Sequence, residues 1–65
     1  MIEIYEYMKN GESTGFIREA RDRWDVFDQI HQEVDTETFH YICSDDPDNT
    51  INTVAELVIY KNKEQ

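Results

Sequence analysis

The chain has 65 residues, with fifteen Asp and Glu against six Lys and Arg, and a formal net charge of −9. This acidity opposes direct binding to nucleic acid or to an anionic membrane, because affinity for phosphate comes mainly from Lys and Arg. So short a chain buries only about 60% of the surface that it exposes when unfolded, which opposes a large enclosed active site. With 38% hydrophobic residues, we expect one folded domain over residues 1–65 and a basic partner.

The first eight residues alternate charged and apolar side chains and lack the basic start and apolar run of a signal peptide. We therefore expect a cytoplasmic protein without a membrane span, since the longest apolar run, Leu57 to Tyr60, is far below the roughly 20 residues that cross a bilayer. Cys43 is the only cysteine, which excludes an internal disulfide and fits a reducing compartment. Because small domains without such a staple often gain stability by self-association, a homodimer stays open as an alternative.

Residues 2–8 are rich in β-branched and aromatic types, and Asn10-Gly11 follows as the dipeptide best suited to a two-residue hairpin turn. We therefore predict a first hairpin centred on that dipeptide. Two charge pairs and two apolar pairs then face each other across it, namely Lys9 with Glu12, Tyr5 with Phe16, Ile4 with Ile17 and Glu3 with Arg18. Their agreement in one register supports the hairpin beyond the turn dipeptide alone.

Neither face of this predicted hairpin is plainly polar. Side-chain alternation gives one face four aliphatic or thioether residues, Ile2, Ile4, Met8 and Ile17. It gives the other face three aromatic residues, Tyr5, Tyr7 and Phe16. Because one helix covers one face and the aliphatic side suits it better, we expect the aromatic side to form a partner or dimer interface. The alternative is that these aromatic residues are simply good strand formers.

A helix is predicted from about Arg23 to Val34, since Asp22 can cap its first turn and Asp25 stands at the capping-box position. Apolar and aromatic residues then recur at three- and four-residue intervals, the spacing of one helical face, at Trp24, Phe27, Ile30, His31 and Val34. An alternative helix begins near Phe16 and shortens the second strand.

The second half of the chain predicts another hairpin. Residues 38–44 are strand-like, and residues 45–49 form a polar turn around Pro47. Residues 51–61 favour a strand, although Thr53 and Glu56 also fit a capping box that opens a short helix. Choosing the strand gives an α+β domain of ββαββ order, with two antiparallel β-hairpins and one amphipathic helix packed on the sheet.

The acidic excess lies in the middle of the chain. Residues 22–48 carry nine Asp and Glu against Arg23 alone, so 1 − 9 gives −8. The candidate partner-binding carboxylates on the predicted helix and the loop of the second hairpin are Asp25, Asp28, Asp35, Asp45, Asp46 and Asp48. This pattern favours a surface that imitates a nucleic-acid backbone and occupies the cationic groove of another protein. The alternative is a solvated helix face followed by a polar loop.

The sequence contains only weak patterns of metal-binding, phosphate-binding or catalytic residues. Asp46 and Asp48 resemble the opening of a calcium loop, but its glycine and final glutamate are absent. His40 and Cys43 are one isolated His-x-x-Cys, without the paired spacing of zinc sites, and no glycine-rich phosphate loop occurs. We therefore predict no catalytic residue, no metal and no cofactor.

The short, acidic, Tyr-rich chain is similar in composition to many small phage early proteins that bind host factors. This resemblance implies a non-enzymatic inhibitor, of phage or mobile-element origin, that sequesters a basic host protein by nucleic-acid mimicry. A nuclease or another nucleic-acid-binding factor is the expected target. The alternative function is a self-associating structural or regulatory module that uses the aromatic sheet face.

Overall fold

The computed structural model describes residues 1–63, in which four strands and two helices follow one another in the order ββαββα. The elements are β1 (Ile2–Met8), β2 (Ser13–Ala20), α1 (Arg23–Ile30), β3 (Phe39–Cys43), β4 (Thr50–Ile51) and α2 (Val54–Asn62). The strands form one antiparallel sheet in the order β2-β1-β3-β4. The predicted α+β class is confirmed, but the predicted ββαββ order is incomplete because a second helix follows β4.

The strand predicted over residues 51–61 is wrong beyond Ile51, because a capping box starts α2 there. The hydroxyl of Thr53 accepts a hydrogen bond from the backbone N–H of Glu56 at 3.1 Å, and the Glu56 carboxylate accepts one from the N–H of Asn52 at 2.9 Å. Leu57 and Tyr60, three positions apart, are both buried. The helical alternative therefore holds, since capped amides and a helical spacing outweigh the β-branched content.

The first hairpin turns at Asn10 and Gly11 as predicted, but three residues rather than two separate the paired positions. The N–H of Met8 donates to the carbonyl of Glu12 at 2.8 Å, and the N–H of Gly11 donates to the carbonyl of Met8 at 2.8 Å. Gly11 has φ +94°, a conformation that glycine adopts without steric strain. Three-residue loops with glycine at the positive-φ position are a common alternative to the two-residue turn.

The pairing of β1 with β2 differs from the predicted register by one residue. Ile4 lies opposite Arg18, and Glu3 lies opposite Glu19. The predicted register is wrong because of the longer turn and of an irregularity further along the hairpin, where Gly15 of β2 has φ +81°. A one-residue shift moves every side chain of β2 to the other face of the sheet, relative to the prediction.

Helix α1 begins at the predicted residue but ends at Ile30 rather than at Val34. Val34 lies in the turn that follows the helix, and its side chain is still buried in the core. The buried residues of α1 are Val26 and Ile30, one helical turn apart. Trp24, which its spacing places on the predicted apolar face of the helix, is 62% exposed. Two positions separate Trp24 from Val26, which places them about 200° apart around the helix axis, so both cannot face the sheet.

Both helices pack on the same face of the sheet, and the core lies between them. Its buried residues come from the strands, both helices and the turn after α1, and they are Ile4, Ala20, Val26, Ile30, Val34, Tyr41, Cys43, Ile51, Leu57 and Tyr60. Register places Ile4 opposite Cys43, and Tyr41 opposite Ile51, which fixes the side of the sheet that faces the helices. Within residues 1–63 neither helix has the length and apolar character to span a membrane.

Candidate binding surface

The sheet has a second face, on the side away from the core and the two helices. Side chains directly opposite each other in an antiparallel pair share a face, and those paired away from the core alternate with the buried strand residues. We call this surface the open face and define it by Glu3, Tyr5, Tyr7, Ile17, Glu19, His40, Ile42 and Thr50. None of these residues belongs to the core cluster.

The centre of the open face is aromatic and aliphatic. Tyr7 and His40 stack with ring centroids 5.7 Å apart, and Ile17 is 53% exposed. Partial burial, together with the charge of Lys9, lowers the pKa of His40 below its usual value, which favours the neutral imidazole. The hydroxyl of Tyr5 donates to the carboxylate of Glu3, and this bond raises the pKa of the phenol. Both pKa shifts favour the uncharged forms of His40 and Tyr5.

One end of the open face carries a pair of like charges. Glu3 and Glu19 lie directly opposite each other on β1 and β2, where like charges destabilise a sheet. The predicted register places Arg18 opposite Glu3, but Arg18 lies on the helix side and donates to the carboxylate of Glu33 at 2.6 Å and to the carbonyl of Gln29 at 3.1 Å. Within residues 1–63 neither Glu3 nor Glu19 takes part in an ion pair.

Phe16, predicted to share a face with Tyr5 and Tyr7, does not join them. The guanidinium of Arg18 lies 5.2 Å from the centroid of the Phe16 ring, and Arg18 itself points to the helix side. Ile17 stands opposite Tyr5 instead. The structure therefore brings two of the three predicted aromatic residues together and replaces the third with an isoleucine.

Four of the six predicted acidic residues take part in contacts within the chain. Two of them, in the turn between β3 and β4, hold that turn against the helices. Asp45 accepts from the guanidinium of Arg23 at 2.8 Å and from the hydroxyl of Tyr60 at 2.8 Å. Asp46 accepts from the ammonium of Lys63 at 2.7 Å, and this bond lowers the pKa of the Asp46 carboxyl. Both carboxylates therefore stabilise the fold.

The other two engaged carboxylates lie at helix starts. Asp25 accepts from the backbone N–H of Arg21 at 2.9 Å, which lowers the pKa of its carboxyl. Asp35 accepts from the backbone N–H of Val54, the first residue of α2, at 3.2 Å. Negative charge at the N-terminus of a helix is stabilised by the helix dipole, so both contacts support the fold.

Asp28 and Asp48 are the two predicted acidic residues that differ from these. Both are exposed, and their side chains take part in none of the hydrogen bonds or ion pairs found within residues 1–63. Asp28 lies on α1, and Asp48 lies in the turn between β3 and β4. They are the members of the predicted set whose carboxylates are available to a partner.

The fold also spreads the acidic excess that the sequence places in residues 22–48. Three cations from outside this segment bind carboxylates within it: Arg18 binds Glu33, Arg21 binds Asp25 and Lys63 binds Asp46. Counting them with the segment gives −8 + 3 = −5. Folding therefore partly neutralises the negative charge that the sequence concentrates in residues 22–48.

An aromatic cluster lies along α1 and its C-cap, in which Trp24 is exposed while Phe27 and His31 are partly buried and Phe27 packs against the core. The ammonium of Lys61 lies 4.4 Å from the ring centroids of both Trp24 and Phe27, and Phe27 stacks on His31 at 5.0 Å. The spacing of Val26 and Ile30 is the sequence signal that could have identified the buried stripe instead. Lys61 holds α2 against α1 by cation–π contacts.

The groups considered for chemistry lie in unreactive surroundings. Cys43 is buried, and burial raises the pKa of its thiol to about 11, so the thiol stays protonated at neutral pH. Within residues 1–63 no three His, Cys, Asp or Glu side chains converge to hold a metal ion. The buried Cys43 is best explained as a small apolar residue of the core.

Comparison of the chain with protein-family models, with curated proteins and with solved structures finds no match. No residue role is therefore carried over from another protein. The open face and the exposed carboxylates are the features from which we infer function.

Proposed function

We propose that this protein is a non-enzymatic binding protein whose open face docks on a basic surface of another protein. The observation that carries the proposal is the uncovered sheet face, in which Tyr7, Ile17 and His40 adjoin the carboxylate pair of Glu3 and Glu19. Contiguous exposed apolar surface with a polar rim is typical of interaction sites, and aromatic residues are enriched in them. A Lys or Arg of the partner placed between the two carboxylates would relieve their repulsion.

Charge favours a basic partner over a second copy of the chain. Two copies of charge −9 repel each other, and a two-fold contact through the open face would bring four carboxylates, those of Glu3 and Glu19, into one interface. The outer edge of β2 is also poorly suited to pairing, because the side chain of Gln29 donates to the carbonyl of Glu19 at 2.9 Å and Ser13 occupies the N–H of Gly15 at 3.0 Å.

Inhibition is the proposed consequence of this docking. A basic protein surface commonly serves to bind phosphate groups, so a partner covered by this chain would lose access to nucleic acid. The net charge of −9 would also speed the encounter by long-range attraction. We therefore propose a nucleic-acid-binding factor or a nuclease as the partner class.

The test uses a partner that is recovered from lysate, identified and purified, so that its affinity can be measured by calorimetry. We expect Ile17→Ser to weaken binding about tenfold or more, as for a residue at the centre of an interface. Glu3→Gln should weaken it a few-fold and reduce its dependence on salt, because one rim charge is removed. Asp28→Asn is the matched control, since it changes the charge equally at a site away from the open face.

The result that overturns the proposal is full affinity of the Ile17→Ser protein for the purified partner. A partner without excess positive charge would equally contradict it. Nuclear magnetic resonance mapping of the complex provides a second readout, with perturbed amides expected on β1, β2 and β3 rather than on the outer surface of α1.

We carry nucleic-acid mimicry as a second candidate, because Asp28 and Asp48 present exposed carboxylates that the fold does not use. In this case Asp28→Asn and Asp48→Asn would weaken binding while Ile17→Ser would not. Short duplex DNA would also displace the chain from its partner by direct competition. The same set of variants therefore separates the two candidates.

A further inference from the structure

A pocket of about 100 Å³ lies between the β3–β4 turn, β4 and α2. Its lining residues are Asp46, Asn49, Thr50, Ile51, Glu56, Ile59, Tyr60 and Lys63. Ile51, Ile59 and Tyr60 supply an apolar wall, and Asp46 and Glu56 supply carboxylates. An apolar wall beside carboxylates suits a side chain with an aliphatic stem and a cationic head.

The chain already places such a group in the pocket. The ammonium of Lys63 binds the carboxylate of Asp46 at 2.7 Å, and Asn49 donates to the same carboxylate at 2.9 Å. Lys63 retains about a third of its side-chain exposure, whereas Asp46 retains 17%. Asp46 is therefore a positioned acceptor for an ammonium, and Lys63, which occupies it, is the more exposed member of the pair.

The pocket adjoins the open face. Thr50, one of its lining residues, lies opposite Ile42 on the open face, and β4 is the edge strand of the sheet. A protein docked on the open face could therefore reach around this edge with one long side chain. Within residues 1–63 the hydrogen bonds from Asn52 and Thr53 to the Glu56 carboxylate both go to its Oε1 atom, which leaves Oε2 without a partner among these residues.

We propose that this pocket receives a lysine side chain of the basic partner, which displaces Lys63 from Asp46. The identification of the partner as basic rests on the proposed function, but the pocket can be tested without the partner. The incoming methylene groups would contact Ile59, and the incoming ammonium would bind Asp46. Exchange of one ammonium for another leaves the half-buried carboxylate of Asp46 paired throughout.

The probe is N-acetyl-lysine methylamide, titrated into the isotope-labelled protein and followed by nuclear magnetic resonance. We expect saturable shifts of the amides of Asn49, Ile59 and Tyr60. The norleucine analogue, which keeps the aliphatic stem and lacks the ammonium, should bind weakly or not at all. Equal binding of the two analogues would overturn the proposal, because the pocket would then recognise only apolar surface.

Two variants change the affinity for the probe in opposite directions. Lys63→Gln removes the internal competitor and should raise the affinity about threefold, the equivalent of a surface ion pair. Asp46→Asn removes the acceptor and should lower it about fivefold or more. Lys9→Gln and Asp48→Asn are the matched controls of equal charge change outside the pocket, and equal effects of controls and variants would overturn the proposal.

Ile59→Ser keeps the test decisive if Asp46→Asn unfolds the protein. Ile59 is 62% exposed, so the substitution should preserve the fold, but it removes the apolar wall and should weaken probe binding. Unchanged probe affinity in Ile59→Ser would contradict the pocket. Failure of the pocket leaves partner binding sensitive to Ile17→Ser, whereas failure of the proposed function leaves probe binding intact, so the two failures are distinguishable.

Discussion

The two faces of the sheet carry similar side chains and have different surroundings. On the helix side, Ile4 and Tyr41 are buried against both helices, and the cations Arg18, Arg23 and Lys63 bind nearby carboxylates. On the open face, the apolar residues are half-buried or exposed, and its two carboxylates take part in none of the ion pairs of the described residues. The difference shows that this small domain uses its few cations to hold its own layers together. The surplus negative charge is thereby left for surfaces that the fold does not cover.

We expect the largest effect on the free energy of unfolding from a comparison of two isoleucines on neighbouring strands, one on each face of the sheet. Ile4→Ala creates a cavity between the sheet and the helices, because Ile4 is 1% exposed, and should lower the free energy of unfolding by about 2 to 5 kcal/mol. Ile17→Ala, on the open face, should lower it by less than about 1 kcal/mol. Urea denaturation measures both. Equal losses of unfolding free energy in the two variants would contradict this difference between the faces, since the open face would then stabilise the fold as a core does.

The second prediction concerns the stability that two arginines near the start of α1 contribute. Arg23 donates to Asp45 and to the carbonyls of Tyr60 and Lys63, so it links α1 to the β3–β4 turn and to the end of α2. Arg23→Gln should cost about 1.5 to 3 kcal/mol, as for hydrogen bonds to charged groups. Arg21→Gln is the control, because the Arg21 side chain is 81% exposed, and should cost below about 0.5 kcal/mol. Thermal and urea unfolding would both reveal a difference, and similar costs would contradict this role of Arg23.

Local signals in the sequence predicted most of the elements. The strand content of residues 2–8, the Asn10-Gly11 turn and the cap at Asp22 all correspond to structure. The second hairpin is confirmed only in part, because Ile51 alone of the strand predicted over residues 51–61 belongs to β4. These features depend on nearby residues, and nearby residues are what a single sequence displays.

Register and burial depend on the rest of the fold and were predicted less well. A turn longer by one residue moved Ile17 to the open face and Arg18 to the helix side, and no local pattern distinguishes the two turn lengths. The spacing of Trp24 places it on the predicted apolar face of the helix, but the short α1 buries Val26 and Ile30 instead. The sheet face predicted to carry Tyr5, Tyr7 and Phe16 therefore carries Tyr5 and Tyr7 but not Phe16.

The third effect concerns the cap that separates β4 from α2. Thr53→Ala should lower the free energy of unfolding by about 1 kcal/mol, because the N–H of Glu56 loses its hydroxyl acceptor. Thr53→Ser keeps the hydroxyl and should stay close to the original protein. Because α2 covers only the helix side, neither change should alter partner binding through the open face. Loss of partner binding in Thr53→Ala without loss of stability would contradict the claim that this cap serves only the helix side of the sheet.

We expect the smallest effects on stability from two carboxylates, Glu33 on the helix side and Glu19 on the open face. The hydrogen bond from Arg18 lowers the pKa of Glu33 below its ordinary value of 4.5 in the folded protein. As pH falls, the unfolded chain binds this proton first, so the contribution of Glu33 is complete at neutral pH and is lost in acid. Glu33→Gln should therefore lower the free energy of unfolding at pH 7, by less than about 1 kcal/mol, and the difference should disappear as the carboxyl becomes protonated.

Glu19→Gln should have the opposite sign at pH 7, because it removes the repulsion between Glu19 and Glu3 on the open face. We expect the free energy of unfolding to rise by roughly 0.2 to 1 kcal/mol, the range for cross-strand pairs. The same variant should bind the basic partner more weakly, since one carboxylate of the docking surface is lost. Urea titrations at pH 7 measure the first change and calorimetry with the partner measures the second. A Glu19→Gln protein that is both less stable and fully able to bind would show that this carboxylate supports the fold, as Glu33 does, rather than a partner.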